Sequence, residues 1–170
     1  MALGLHTYKV GDIMKTLILA TGVFLSLYVN TVASERYRSK TISELITMAA
    51  QDHKVDRTYL SCLLKIESDY RYKVISSTND HGIGQINAKT ARIFNFNLSR
   101  LTTDLEYSID RAAYMLSYYQ WLKKYDEGRT WVCRYNVGSG SLTRGNIAEK
   151  CEAYLERFYA CTTGDLKGVL

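Results

Sequence analysis

The sequence predicts a mainly α-helical single domain, with about six helices, connecting loops and at most a short β-hairpin. Apolar residues recur at helical spacing in most segments, and proline is absent. With 46% hydrophobic and 23% charged residues, the composition is that of a folded globule. The 170 residues suffice for one domain with a sizeable core. We expect this domain over residues 34–161, followed by a flexible tail over residues 162–170.

Residues 1–33 are typical of an export signal. Lys15 supplies a positive start, residues 17–29 are mostly apolar, and residues 31–33 resemble the small-residue pattern before a signal-peptidase cut. Met14 is an alternative initiator. The segment is therefore expected to be a cleaved signal peptide or, as the alternative, an uncleaved signal anchor that contacts the membrane.

The helices of the first half are predicted from caps and apolar spacing. Thr41 or Ser43 caps a first helix, and Asp56 caps a second helix that ends near Glu67. The polar residues 68–81 predict a loop or a short hairpin.

The second half begins with a short helix that Asn87 caps, followed by a predicted loop over residues 95–103. Residues 104–125 carry the longest helical pattern and are expected to form the central core helix. A shorter element around Trp131, a glycine-bearing loop over residues 136–141 and a last helix complete the domain.

Four cysteines follow the export signal: Cys62, Cys133, Cys151 and Cys161. In an oxidising compartment they are expected to form two disulfides. A single helix over about residues 146–159 would hold Cys151 and Cys161 roughly 15 Å apart, which disfavours their direct pairing. The other pairings stay open. The cysteine spacing is unlike a zinc site and the chain has only three histidines, so no metal is predicted.

The formal net charge of +5 and the isoelectric point near 9.0 indicate an acidic partner, such as nucleic acid, an anionic membrane or a polyanionic cell wall. The basic residues are scattered, and their one tight cluster, Arg36, Arg38 and Lys40, lies beside the predicted cleavage site. Nucleic acid is not an expected partner, because its recognition needs a clustered basic stripe and does not explain export.

One acid interrupts the apolar pattern of the second helix. The apolar face consists of Tyr59, Leu60, Leu63, Leu64 and Ile66. Glu67 is predicted to project into this face, whereas Ser61, Lys65 and Ser68 are predicted to lie on the opposite, solvated face. A carboxyl group on an apolar face must be paired, neutral or functional.

Two further motifs follow Glu67-Ser68 along the chain. Gly82-Ile83-Gly84-Gln85 predicts a tight backbone path that lets the main chain come close to another group. Arg134-Tyr135-Asn136 precedes the second glycine-bearing loop.

In this order and spacing, the three motifs resemble those of the soluble-type lytic transglycosylases, which share a lysozyme-like fold with goose-type lysozyme. That family has a Glu-Ser pair, a Gly-Leu-Met-Gln motif and an Ala-Tyr-Asn motif. This chain has Ile83 and Gly84 in place of leucine and methionine, and Arg134 in place of alanine. The resemblance covers roughly residues 42–160, and the glycine variant is similar to the small specialised transglycosylases of secretion and conjugation systems.

The resemblance implies that Glu67 protonates the bond between N-acetylmuramic acid (MurNAc) and N-acetylglucosamine (GlcNAc). The same group then takes the proton from the muramyl 6-hydroxyl, giving a 1,6-anhydro sugar without a cofactor. Burial would keep this acid protonated near neutral pH. Tyr135 is expected to hydrogen-bond Glu67. The expected substrate-binding residues are Ser68, Gly82, Ile83, Gln85, Tyr135 and Asn136.

Two alternatives stay open. The first is a muramidase that uses Glu67 with water as the nucleophile, with Asp80 as the candidate second acid. The second is a non-catalytic module that binds the cell wall. In each case we expect an exported monomer in the periplasm or cell envelope, whose partner is peptidoglycan. A secretion, pilus or conjugation apparatus is a further expected partner, and phage lysis is the alternative setting.

Overall fold

The computed structural model describes residues 39–122, 130–137 and 147–164. The described residues from Thr41 onward form one compact unit. They are mainly α-helical with one short antiparallel hairpin, as predicted. The export segment and the basic residues Arg36 and Arg38 lie outside the described residues. None of the described helices is long and apolar enough to cross a membrane.

Two helices open the domain, α1 (Ile42–Asp52) and α2 (Arg57–Ser68). Thr41 caps α1 and forms a reciprocal capping box with Glu44. The Asp56 carboxylate caps α2 by accepting two backbone N–H groups of its first turn. Both predicted caps are confirmed.

The hairpin pairs β1 (Asp80–His81) with β2 (Ile86–Asn87). Asp80 lies opposite Asn87, and His81 lies opposite Ile86. The glycine motif is therefore the loop of the hairpin, which lies later in the chain than the predicted polar segment. A bridge between Ile75 and His81 adds a single pairing inside that segment.

Asn87 caps α3 (Ala88–Ile93), as predicted. The predicted loop over residues 95–103 is wrong at its end, because Arg100–Thr103 forms a short helix, α4, whose Leu101 is fully buried.

The long helix α5 (Leu105–Leu122) is the predicted core helix. Most of its predicted apolar stripe is buried, namely Ile109, Ala112, Ala113, Leu116 and Tyr119. Its expected continuation to residue 125 lies outside the described residues.

The last described elements are a 3-10 turn (Thr130–Val132), a short helix α6 (Cys133–Val137) and the helix α7 (Ile147–Thr163), which is kinked at Cys151. Most of the predicted second glycine loop lies between α6 and α7, outside the described residues.

Two disulfides connect these helices. Cys62 of α2 bonds Cys161 of α7, and Cys133 of α6 bonds Cys151 of α7. The prediction of two disulfides, with Cys151 and Cys161 not bonded to each other, is confirmed. Because both bridges end in α7, this helix is held covalently against α2 and α6.

Candidate active site

A cleft of about 800 Å³ lies over the end of α2, the hairpin and the inner side of α5. Its polar lining consists of Glu67, Thr78, Asp80, Gln85, Asn87, Lys89, Thr90 and Asn136. Its apolar and aromatic lining consists of Ile86, Ile93, Phe94, Met115, Tyr118, Tyr119, Tyr135 and Val137. The lining therefore combines polar and charged side chains with a largely aromatic set.

Glu67 stands in the last turn of α2 and is half-buried, beside the fully buried Leu60 and Leu63. Burial raises the pKa of its carboxyl group from the ordinary 4.5 to about 7. A hydrogen bond from Tyr154 lowers this pKa, the charge of Asp80 raises it, and the charge of Arg157 lowers it. The effect of burial is the largest, so the Glu67 carboxyl group can hold its proton near neutral pH.

Tyr154 is the direct partner of Glu67. Its hydroxyl group donates a 2.7 Å hydrogen bond to Oε1 of Glu67. Burial and the neighbouring Glu67 charge raise the pKa of Tyr154 well above its usual value, so the phenol remains a donor. The sequence analysis assigns Tyr154 no role, because its only signal is a tyrosine among the apolar residues of the last helix.

The expected hydrogen bond from Tyr135 to Glu67 is wrong. The Tyr135 hydroxyl group instead donates to the backbone oxygen of Gly84, at 2.8 Å. A Cβ atom at Gly84 would lie 2.7 Å from that hydroxyl oxygen and 2.8 Å from Cβ of Ala112. Glycine at this position is therefore what allows Tyr135 and α5 to come close to the hairpin loop.

Gly82 serves a similar purpose at the start of the loop. Its φ angle is +74°, and a Cβ atom there would lie 2.0 Å from the backbone oxygen of Leu101. The glycine motif was predicted to come close to another group. In the structure it comes close to α4, α5 and Tyr135 of the protein itself.

The prediction that Ser68 lies on a solvated face is wrong. Ser68 is buried, and its hydroxyl group donates to the backbone oxygen of Ile83 at 2.7 Å. The side chain of Ile83 is also fully buried. The hairpin loop folds back over the end of α2 and covers Ser68 and Ile83. These two buried residues therefore hold the loop in place without lining the cleft.

Three predicted site residues reach the cleft together with Glu67: Gln85, Tyr135 and Asn136. Gln85 has a φ angle of 45°, and its amide donates to the backbone oxygen of Gly82 at 2.8 Å. Asn136 is exposed at the end of α6. Ser68, Gly82 and Ile83 lie behind these residues and support the loop.

Asp80 is the second carboxyl group among the described cleft residues. It accepts hydrogen bonds from Ser76 and Asn87, each at 2.7 Å, and from the Thr78 hydroxyl group. Burial raises the pKa of Asp80, but the three hydrogen bonds outweigh burial and lower it below the usual value. Asp80 is therefore an anion at neutral pH.

Helical spacing in the sequence favours core positions for both tryptophans, Trp121 and Trp131. Trp131 is buried, whereas Trp121 is 61% exposed. The polar segment that ends at His81 predicts a solvated side chain, but His81 is buried and pairs with the Asn79 side chain at 2.8 Å.

Chemically, this site holds a carboxyl group that can give up and regain a proton near neutral pH, next to a phenol donor and a fixed anion. Such a carboxyl group suits general acid–base catalysis on a polar substrate. Within the described residues no group of three His, Cys, Asp or Glu side chains is arranged to hold a metal ion.

Comparison with known protein families matched residues 44–155 to the Transglycosylase SLT domain. No match was found among curated proteins or among solved structures. The matched range includes the Glu67-bearing helix, the hairpin, the core helix and Tyr154. This family cleaves the glycan strands of peptidoglycan, outside the cytoplasm. Because the match covers more than half of the chain, the protein belongs to the transglycosylase SLT family, with a lysozyme-like fold.

Proposed function

We propose that this protein is a peptidoglycan lytic transglycosylase in which Glu67 is the only catalytic carboxyl group, first as acid and then as base. The observation that carries the proposal is a half-buried carboxyl group with a pKa of about 7 at the cleft wall. An acid that must both donate and accept a proton works best when its pKa lies near the working pH.

In the first step, the Glu67 proton passes to the oxygen that joins C1 of MurNAc to C4 of GlcNAc. The C1–O bond breaks with both electrons going to oxygen, and the GlcNAc unit leaves as an alcohol. The positive charge that develops on the MurNAc ring is stabilised by the carbonyl oxygen of its own N-acetyl group.

In the second step, the Glu67 carboxylate takes the proton of the MurNAc 6-hydroxyl while O6 bonds to C1. The product is a 1,6-anhydro ring, no water is consumed, and Glu67 regains its proton. Between the two steps Glu67 is an anion, and the Tyr154 hydrogen bond stabilises it in that state.

The other site residues act in two ways. Gln85 and Asn136 lie on the cleft wall and have amide groups that match the acetamido groups of the substrate. Tyr135 has its hydroxyl group bound to Gly84, so its ring is the part that faces the sugar. Ser68, with Gly82 and Ile83, fixes the loop that carries Gln85.

A muramidase is the second candidate, and Asp80 is the observation that favours it. This anion lines the same cleft as Glu67, where it could activate a water molecule. Against this role, its oxygens already accept hydrogen bonds from three side chains.

Product masses distinguish the two reactions. Purified peptidoglycan is digested with the wild type, with Glu67→Gln and with Glu152→Gln, a control at an exposed glutamate on α7. We expect anhydro-muropeptides, one water lighter than reducing-end products, from the wild type and the control. Reducing ends would establish the muramidase. Soluble products at the wild-type rate from Glu67→Gln would refute the assigned acid, and none from the wild type would favour a wall-binding module.

We also propose that the protein is exported through residues 1–33 and acts in the periplasm or cell envelope as a monomer. The two disulfides support export, because such bonds persist in oxidising compartments. We further propose that the protein acts together with a secretion, pilus or conjugation apparatus.

A further inference from the structure

Trp121 differs from the other tryptophan of the chain. The sequence contains two tryptophans. Trp131 is 6% exposed in the core, whereas Trp121, in the last turn of α5, is 61% exposed. A large apolar ring at the surface is a common feature of binding sites, because its burial on binding contributes much free energy.

A row of aromatic rings connects Trp121 to the catalytic end of the cleft. The ring of Tyr135 contacts that of Tyr119 at 6.1 Å between centroids, and Tyr119 contacts Tyr118 at 5.4 Å. Tyr118 in turn stacks with Trp121 at 6.5 Å and 27°. The three tyrosines line the cleft, so Trp121 continues the aromatic wall by one ring beyond it.

Neighbouring rings hold this row in place. Phe94 meets Tyr118 edge-to-face at 5.0 Å, and it also contacts Phe96 and Tyr114. Next to Phe94 in the chain, Ile93 lines the cleft and is 71% exposed, so a second exposed apolar side chain lies at the cleft. A preordered aromatic surface loses little conformational entropy when it binds a ligand.

We propose that Trp121 is a stacking platform for a sugar ring of the glycan strand that lies beyond the cleft. One face of a pyranose ring carries C–H groups, which pack well on the electron-rich face of an indole. The substrate is a polymer of such rings, so a strand that lies along the Tyr119–Tyr118 wall continues over Trp121. The inference rests on the proposed function, and it adds a residue that favours long strands over short fragments.

The two tryptophans provide a direct binding signal. Glu67→Gln, which keeps the cleft but not the acid, is titrated with peptide-free glycan strands while tryptophan fluorescence and its quenching by acrylamide are recorded. Because Trp131 is buried, the quenchable fluorescence comes from Trp121. We expect glycan to shield Trp121 from acrylamide. Binding that leaves the quenching unchanged overturns the platform while the proposed function stands.

Strand length provides the second test. Trp121→Ala is expected to weaken the binding of long strands about tenfold and to weaken the binding of short oligosaccharides much less. Trp121→Phe keeps a ring and should recover most of the loss. Met48→Ala, at an exposed apolar residue of α1 outside the cleft lining, is the control. Circular dichroism checks the fold of each variant.

Three results would contradict the platform or its basis. An equal loss for long and short ligands in Trp121→Ala overturns the platform. The platform is also overturned if Trp121→Ala changes the sedimentation of the protein but not its affinity for glycan. That result would mean that the surface at Trp121 binds a second copy of the chain. If the Glu67→Gln variant binds no glycan and the wild type releases no muropeptides, the proposed function fails together with the platform.

Discussion

Glu67 and Asp80 line the same cleft, yet their surroundings shift their pKa values in opposite directions. Glu67 is packed at the end of an apolar helix face and, among the described residues, accepts a hydrogen bond from Tyr154 alone. Asp80 lies in the hairpin and accepts hydrogen bonds from three polar side chains. Burial dominates in the first case, and hydrogen bonding to the anion dominates in the second.

Burial raises the pKa of a carboxyl group, and each hydrogen bond that its anion accepts lowers it. The balance of these two effects decides which of the two acids keeps its proton. Two carboxyl groups with separated pKa values have separate roles. In this protein the protonated group is suited to proton transfer, and the ionised one is suited to raising the pKa of its neighbour. This supports a mechanism with one catalytic acid.

The largest effect is expected from removing the acid. Glu67→Gln keeps the size of the side chain but cannot donate or accept the proton, so we expect turnover to fall by between about 10² and 10⁴-fold. Release of soluble glycan from purified peptidoglycan measures this. A fall of less than tenfold, with Glu152→Gln unchanged, would mean that another group supplies the proton.

Removing the donor to Glu67 should have the next largest effect. Tyr154→Phe deletes the hydroxyl group that stabilises the Glu67 anion, so the pKa of Glu67 should rise and turnover should fall about tenfold. The pH at which kcat/KM declines should then move upward. Tyr70→Phe is a matched control, because it removes a hydroxyl contact to Ser61 on the outer side of α2. Loss of activity without a shifted pH profile would indicate a merely structural role for Tyr154.

Neutralising the anion should produce a smaller, opposite shift. Asp80→Asn removes a charge that raises the pKa of Glu67, so the decline of kcat/KM should move to lower pH, by less than about one unit. Asp69→Asn is the control, since Asp69 is exposed and pairs with Lys65 at 2.6 Å. A shift to higher pH would contradict the electrostatic role, and loss of all activity would favour Asp80 as a catalytic base.

The stability of the fold should also depend on pH. The pKa of Glu67 is about 7 in the folded state and near 4.5 when unfolded, so between these values unfolding releases a proton. The free energy of unfolding should therefore decrease as the pH rises through this window, by up to about 3 kcal/mol from this group. Denaturant unfolding of wild type and Glu67→Gln at pH 5 and pH 8 tests this. The wild type should lose more stability than the variant.

The sequence predicted well those features that depend on near neighbours. Thr41, Asp56 and Asn87 each precede a helix and bind its first N–H groups, so their capping role could be read locally. The face of α2 that carries Glu67 followed from helical spacing. The family resemblance depended on three motifs whose order is visible without a structure.

Contacts between distant residues could not be predicted in this way. Ser68 is buried because its hydroxyl group meets a carbonyl 15 residues later, which requires the hairpin to fold back over α2. Tyr154 reaches Glu67 across 87 residues, through the position of α7 that the disulfides help to fix. The exposure of Trp121 likewise depends on which face of α5 the other helices cover, and helical spacing alone assigned it to the core.

The most direct test of the central claim is a titration of the Glu67 carboxyl carbon by NMR, assigned by comparison with Glu67→Gln. A midpoint near 7 is expected, together with a midpoint for Asp80 below the usual aspartate value. A Glu67 midpoint near 4.5 would contradict the claim, because the group would then be an anion at neutral pH and could not serve as the acid.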